Sequence, residues 1–522
     1  MPLAFCTAAT RSSNYALDTG KASLTLANGQ CLFCDVDLTI ERQFIAITGP
    51  NGAGKSHLLK ALSGEQPLTS GERQSHGKCF YLPQDATNRF TTVSELLGLE
   101  EKLVALQRAH QGVASEHDFD LISDDWQLES TWQATLAPLE LTLETPFTRL
   151  SPGERMRVYI EILQSQPATL LLDEPSNHMD SVNKHWLAER LKHHKHGVVA
   201  VTHDPILLDA ADHILHIKQG ELTHHSLGFD AFRETLLQTQ ARQKQQHLAN
   251  RAAQKALKQA MIAADLQHQR QASKGKAQVR AGSQSKLVTD FKSDRGSKRH
   301  AGQTHKIQQA QDRVKKNAVY YREDKQQFHF NSTFRAKEKI RLCEAELCFG
   351  PEKTLNLFAD TTQKLRVIGE NGIGKSTLLK TLAGKLELKR GEIQRPITCV
   401  YLDQHCAWLE QGPCVLDIAE RSLDTPHHNL ITSFASVGLS LDKISGPITS
   451  LSGGERMKAA IVLAVQMQGF LLLDEPDNHL DLEAQEELAA MLNQLPCGFI
   501  LVSHNEYFCS QLTNIKVLPL RD

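Results

Sequence analysis

No apolar run in this chain approaches the ~18 residues that a membrane-spanning helix needs, so no membrane-embedded segment is expected. Met1–Thr10 has neither a basic flank nor a long apolar stretch, which argues against a secretory signal and predicts a cytoplasmic location. The eleven cysteines are irregularly spaced. Cys31 and Cys34 are the only close pair, with no second pair at zinc spacing, so paired zinc modules are excluded and reduced thiols are expected. The tract Lys192-His193-His194-Lys195-His196 reads as a solvated helix end before the apolar run Val198–Val201 rather than as a metal tract. Proline and glycine are missing from Phe229–Ser273, which is rich in Ala, Gln, Lys and Arg. That composition predicts one long helix, on the order of 65 Å at about 1.5 Å per residue.

Net charge is nearly absent too, at −2, but this balance hides an asymmetry. Residues 231–341 hold 25 Lys and Arg against 8 Asp and Glu, leaving 33 basic and 52 acidic residues elsewhere. Positive charge concentrated between two acidic regions predicts a polyanionic partner.

What is present, twice, is a phosphate loop. Gly49-Pro50-Asn51-Gly52-Ala53-Gly54-Lys55-Ser56, followed by His57, matches Gly369-Glu370-Asn371-Gly372-Ile373-Gly374-Lys375-Ser376-Thr377. Each follows a short apolar run (Phe44–Ile47, Leu365–Ile368) and precedes Leu-Leu-Lys, the order strand, loop, helix. Glycines let backbone N–H groups turn toward a phosphate, the lysine adds a point charge, and the serine hydroxyl suits magnesium.

Further motifs follow each loop at one spacing. Gln84 and Gln404 lie 29 residues after their lysines, in Tyr-Leu-Pro-Gln and Tyr-Leu-Asp-Gln. Leu150-Ser151-Pro152-Gly153-Glu154 and Leu451-Ser452-Gly453-Gly454-Glu455 come next, and Asp173-Glu174 and Asp474-Glu475 begin 22 residues after those serines. His203 and His504 sit 29 residues beyond their glutamates. This order resembles the ABC ATPase family: Walker A, Q-loop, signature, Walker B with its glutamate, D-loop and switch histidine. The fold it implies is α/β, with two P-loop cassettes that enclose ATP head to tail. One site would then combine Gly49–Ser56, Gln84, Asp173, Glu174 and His203 with Ser452, Gly453, Gly454 and Glu455. The other would combine Gly369–Thr377, Gln404, Asp474, Glu475 and His504 with Ser151, Pro152, Gly153 and Glu154. Ser56, Gln84 and Asp173, or Ser376, Gln404 and Asp474, would hold Mg2+, and Glu174 or Glu475 would polarise water while His203 or His504 meets the γ-phosphate. Phe349 stands where the family stacks adenine, a buried core aromatic being the alternative reading, whereas the first cassette has Ala27 there. Pro152 removes one backbone N–H from its signature loop.

The boundaries follow: a first cassette over 1–228, a basic linker over 229–338 and a second cassette over 339–522. The linker is expected to be a helical hairpin, with an irregular tip from Gly275 to Ser297 and a second helix from about Gly302 to Phe328; a disordered linker is the alternative reading. The first cassette has 19 more residues than the second between Q-loop and signature, expected within Leu99–Asp125. Tandem cassettes with a long basic linker resemble the ABC-F family of ATPases. That resemblance implies a ribosomal partner, with rRNA and tRNA met by the linker near the peptidyl-transferase region, and no membrane or DNA partner. It leaves open antibiotic protection or general translation. Two other readings are an exporter ATPase with separately encoded membrane subunits, which would not explain the basic linker, and a DNA-associated ABC ATPase.

Overall fold

The computed structural model describes residues 17–26, 29–84, 91–137, 141–146, 150, 152–164, 168–177, 179–226, 228–280, 305, 309, 338–349, 354–370, 372–395, 398–423 and 426–520. The chain divides into two compact units, Met1–Phe229 together with Lys325–Asp522, and Asp230–Asp324. Both cassettes belong to the first.

In the first cassette the strands are β1 (Leu17–Thr25), β2 (Cys31–Ile40), β3 (Phe44–Thr48), β4 (Ser70–Ser75), β5 (Lys78–Leu82), β6 (Ala168–Asp173), β7 (Val198–Val201), β8 (His213–Lys218) and β9 (Glu221–His225). The main sheet runs β5-β6-β7-β3-β8-β9, parallel except for β9, and β2-β1-β4 form a small antiparallel sheet. The second cassette repeats the plan with β10 (Lys339–Leu347), β11 (Thr354–Asp360), β12 (Lys364–Ile368), β13 (Leu388–Gln394), β14 (Cys399–Leu402), β15 (Phe470–Asp474), β16 (Phe499–Val502) and β17 (Ile515–Pro519). Its parallel sheet is β14-β15-β16-β12-β17 and its antiparallel sheet β11-β10-β13.

The central strands are apolar throughout because both faces of a parallel sheet are covered. Phe44, Leu170, Leu172 and Ala200 pack with Tyr159, Ile160 and Leu163 of the helix Pro152–Gln164. The alternate residues Ile45, Ile47, Leu171 and Val199 pack with Leu58, Leu59 and Leu62 of the helix Lys55–Ser63. β3 lies between β7 and β8, and β12 between β16 and β17, so each phosphate loop leaves an interior strand of its sheet. Open α/β sheets bind ligands at the carboxyl ends of such strands.

The extra residues of the first cassette form helices Glu100–His110 and Glu116–Ile122, closed by Ala105, Leu106 and Ile122. Ser115 caps the second of them in a reciprocal capping box with Asp118. The linker helix runs unbroken from Phe229 to Arg280, seven residues past the expected end at Ser273. A glycine inside a helix costs only ~1 kcal/mol, and the Lys, Ala and Gln residues around Gly275 outweigh it. The rest of the expected tip and of the second linker helix lies outside the described residues, except His305 and Gln309, both helical.

The expectation of reduced thiols needs one correction: Cys31 and Cys34 are joined, with their sulfurs 2.02 Å apart. Positions i and i+3 of a regular strand face opposite ways. Here β2 spends two residues, Cys31 to Phe33, where β1 spends one, and that irregularity breaks the alternation. Among the described residues no helix is long and apolar enough to cross a membrane.

Candidate nucleotide-binding sites

Both phosphate loops depend on glycine for their backbone. Gly54 and Gly374, the residues before the helices Lys55–Ser63 and Lys375–Leu382, have φ of 95° and 97°. A side chain is strained there. A Cβ on Gly49 would also lie 2.2 Å from the Ile217 carbonyl oxygen. The loops thus aim their helices' N-terminal N–H groups at one point, a ready anion site. Lys55 Nζ donates to the carbonyls of Gly49 (2.7 Å) and Pro50 (3.1 Å), and Lys375 Nζ to those of Gly369 (2.8 Å) and Glu370 (2.7 Å). Burial lowers the pKa of both ammonium groups, opposed at Lys55 by Glu174, Asp481 and Asp173, and at Lys375 by Glu475, Asp180 and Asp474.

The acidic pairs end β6 and β15. Glu174 and Glu475 turn out of their strands with φ of 51° and 50°, each N–H donating to the neighbouring strand at 2.9 Å. His203 Nε2 lies 3.6 Å from Glu174 Oε1, and His504 Nε2 lies 3.8 Å from Glu475 Oε1. Burial pushes Glu174 up to about 8, with Lys55 opposing and Asp173 and Asp204 adding. Burial likewise raises Glu475 to about 7, helped by Asp474 and Asp477. Desolvation holds His203 well below its usual range and His504 at about 4. Neutral imidazoles thus stand beside carboxyls poised near neutrality, as a water-activating base requires. Neither His203 Nε2 nor His504 Nε2 has a hydrogen-bond partner, so both nitrogens are available to a ligand at the phosphate loop.

The residues expected to hold magnesium offer hard oxygen donors of the right kind. Ser376 Oγ donates to Asp474 Oδ1 at 3.0 Å, and the Ser56 hydroxyl bonds to Asp173 in the same way. No cluster of three His, Cys, Asp or Glu able to hold a metal occurs among the described residues. A cation here would therefore share serine and aspartate oxygens with phosphate, and the donor set fits Mg2+. Sequence reading missed the tyrosines. Tyr401 OH donates to Asp474 Oδ2 at 2.7 Å and Tyr81 OH to Asp173 Oδ2 at 3.4 Å. Their signal was present, three residues before each glutamine.

Among the described residues, hydrogen bonds and an ion pair from the Asn478–Glu483 segment of the second cassette reach the first. Asn51 N donates to Asp481 Oδ2 (2.9 Å) and Asn51 Nδ2 to the His479 carbonyl (2.8 Å). His479 Nδ1 lies 3.0 Å from Gln84 Nε2 and 3.2 Å from Asn177 Nδ2. Lys218 pairs with Glu483 at 3.0 Å. In the sequence His479 stands out only as part of the Asn-His pair that follows each glutamate.

Other expected residues are placed as follows. Ser452 caps the helix Gly453–Gln466 in a capping box with Glu455, whose carboxylate also meets Lys443. Glu455 is therefore a loop-holding residue here. Ser151 and Asn371 lie outside the described residues; Pro152 begins its helix, where a missing N–H is tolerated, with Gly153 buried and Glu154 exposed. His57 bonds Gln66 Oε1 at 2.7 Å, and Gln404 Oε1 accepts from Asn478 Nδ2 at 3.3 Å. Phe349 follows β10, 67% exposed.

A family model described as ABC transporter matches residues 33–177 and 352–478. The energy-dependent translational throttle protein EttA of Escherichia coli K12 is 30% identical over 520 residues, covering 92% of this chain and 87% of that protein. The chain belongs to the ABC-F family. This ABC-F protein is also 28% identical to the Bacillus subtilis ABC transporter ATP-binding protein YfmM, over 90% of this chain and 91% of the relative. Its fold is similar to that in the crystal structure of archaeal ribosomal stalk protein aP1 with ribosome recycling factor aABCE1. That match has a TM-score of 0.54 at 17% identity, covering 95% of this chain and 87% of the other. Its two cassettes bind ATP.

Proposed function

We propose that this chain is an ATP-hydrolysing translation factor that binds the ribosome and acts through its basic linker near the tRNA and peptidyl-transferase region. The observation that carries the ATPase half is the Glu–His pair behind each phosphate loop. Lys55 or Lys375 and the loop amides hold the β- and γ-phosphates. Glu174 or Glu475, ionised, orients a water and accepts its proton, while His203 or His504 donates from Nε2 to a γ-phosphate oxygen. When bound, Mg2+ at Ser56, Asp173 and Gln84, or at Ser376, Asp474 and Gln404, supplies positive charge to the phosphate oxygens. Asn51 and the Asn478–Glu483 segment bring the second cassette to the first phosphate loop. The ribosomal half is supported by the relative named as a translational throttle and by the excess of positive charge across residues 231–341. Phosphate backbones attract such charge without regard to sequence.

The test is a Glu174→Gln, Glu475→Gln double variant, which should bind ATP, fail to hydrolyse it and accumulate on ribosomes in co-sedimentation. Wild-type turnover would sink the catalytic assignment. Hydrolysis lost without ribosome retention would sink the ribosomal one.

A further inference from the structure

The boundary between the cassettes encloses a cavity beside the two Glu–His pairs, lined in part by Ser176, Lys184, Asp204, Asp477, Gln485 and Asn505. These are three pairs of equivalent positions, each second-cassette residue standing as far beyond its counterpart as Glu475 stands beyond Glu174. The repeat is broken in charge. The first cassette contributes Ser, Lys and Asp, and the second contributes Asp, Gln and Asn.

In the first cassette Lys184 Nζ is 2.7 Å from Asp204 Oδ2, the two side chains only 11% and 9% exposed. The matching pair in the second is neutral: Asn505 Nδ2 donates to Gln485 Oε1 at 3.0 Å, and Gln485 Nε2 donates to the Leu480 carbonyl at 3.0 Å. Where the first cassette has Ser176, the second buries the carboxylate of Asp477, whose Oδ1 has no hydrogen-bond partner. Burial raises the pKa of Asp477, opposed by a hydrogen bond from the Ser503 hydroxyl and by the fields of Lys184 and Arg366, so the carboxylate depends on those cations to stay charged. Arg366 is already engaged by both carboxylate oxygens of Glu506, at 3.0 and 2.7 Å. Glu475 also lies within the field of Lys184, and so does His504.

We propose that Lys184 is a positioning residue acting across the cassette boundary: its ammonium is the counter-charge for the buried carboxylate of Asp477. Lys184, Asp204 and Asp477 then form a charge code for pairing a first cassette with a second. Two second cassettes would bury Asp477 against neutral Gln485 and Asn505, with no cation from the partner. Two first cassettes would leave Lys184 and Asp204 closed on each other beside Ser176. The mixed pairing gives the buried carboxylate a cation from across the boundary, and an uncompensated buried charge is a strong penalty against pairing two second cassettes.

The nucleotide-free full chain tests this by thermal unfolding, independently of ATP turnover. Lys184→Gln should lower the midpoint by about 5 °C or more, since it strips a buried charge of its partner. Asp477→Asn should matter little in the parent, yet restore at least half of the lost stability when combined with Lys184→Gln. That reversal of effect, produced from the other cassette, is something a structural role confined to the Lys184–Asp204 pair would not give. Should Lys184→Gln fail to fold, recovery of folded protein by Asp477→Asn supports the code and its failure overturns it. The proposal is also overturned if Asp477→Asn shifts the midpoint equally in both backgrounds, or if only Asp204→Asn rescues.

Discussion

Glu174 and Glu475 occupy the same turn of the same motif, yet their surroundings hold a proton to different degrees. Burial and Asp204 contribute at Glu174, raised to about 8, while Glu475 is raised to about 7. A carboxyl that activates water must be ionised, so each site gains activity as pH rises through its own value. The pH profile of kcat/KM reports the free enzyme. We expect Glu475→Gln, which leaves the first site, to give a profile with its midpoint nearer pH 8. Glu174→Gln, which leaves the second, should turn on nearer pH 7. Coinciding profiles measured by phosphate release would refute the assignment. Residues of this kind were legible because phosphate chemistry fixes both their type and their spacing. Tyr81 and Tyr401 were overlooked although they repeat in the same motif, since a tyrosine in an apolar strand reads equally well as core. Glu455 was read as part of a motif and not as a cap, although Ser452-x-x-Glu455 ahead of an apolar run is also the sequence signature of a capping box.

The long linker helix presents Arg242, Lys244, Arg251, Lys255 and Lys258 as exposed residues along its length. If they meet nucleic-acid phosphates, each contact adds roughly 0.7–0.9 to the slope of log affinity against log salt. Replacing all five by Gln should therefore flatten the salt dependence of ribosome co-sedimentation and leave ATP turnover unchanged. An unaltered slope would mean that the affinity comes from elsewhere. Leu237, Leu248, Ile262 and Leu266 are exposed on the same helix, apolar surface that the basic composition had obscured. The helix was legible from its missing proline and glycine, but its end was not, because flanking residues outvote one glycine. The buried runs Leu170–Leu172 and Phe499–Val502 announced their strands. The small antiparallel sheets did not, since β4, Ser-Gly-Glu-Arg-Gln-Ser, is almost wholly solvent-facing and lacks any apolar alternation.

Across the whole molecule, the first phosphate loop is read by residues more than four hundred positions away, a pairing that no local period reveals. His479 touches Gln84, Asn177 and Asn51, all in the first cassette. His479→Ala should therefore slow the first site, isolated by Glu475→Gln, by about tenfold, as expected from losing one or two hydrogen bonds of ~1 kcal/mol each. The second site, isolated by Glu174→Gln, should change far less, and equal losses at both would show that His479 acts on cassette stability alone. Asp481 shapes how such a boundary can open and close. Its Oδ1 accepts from Ala484 N at 2.8 Å, capping its own helix, while Oδ2 accepts from Asn51 N at 2.9 Å in the other cassette. One carboxylate is thus both anchor and hook. If the cassettes part, the hook can let go while the anchor holds, so the helix start keeps its cap and the same carboxylate is ready to meet Asn51 again.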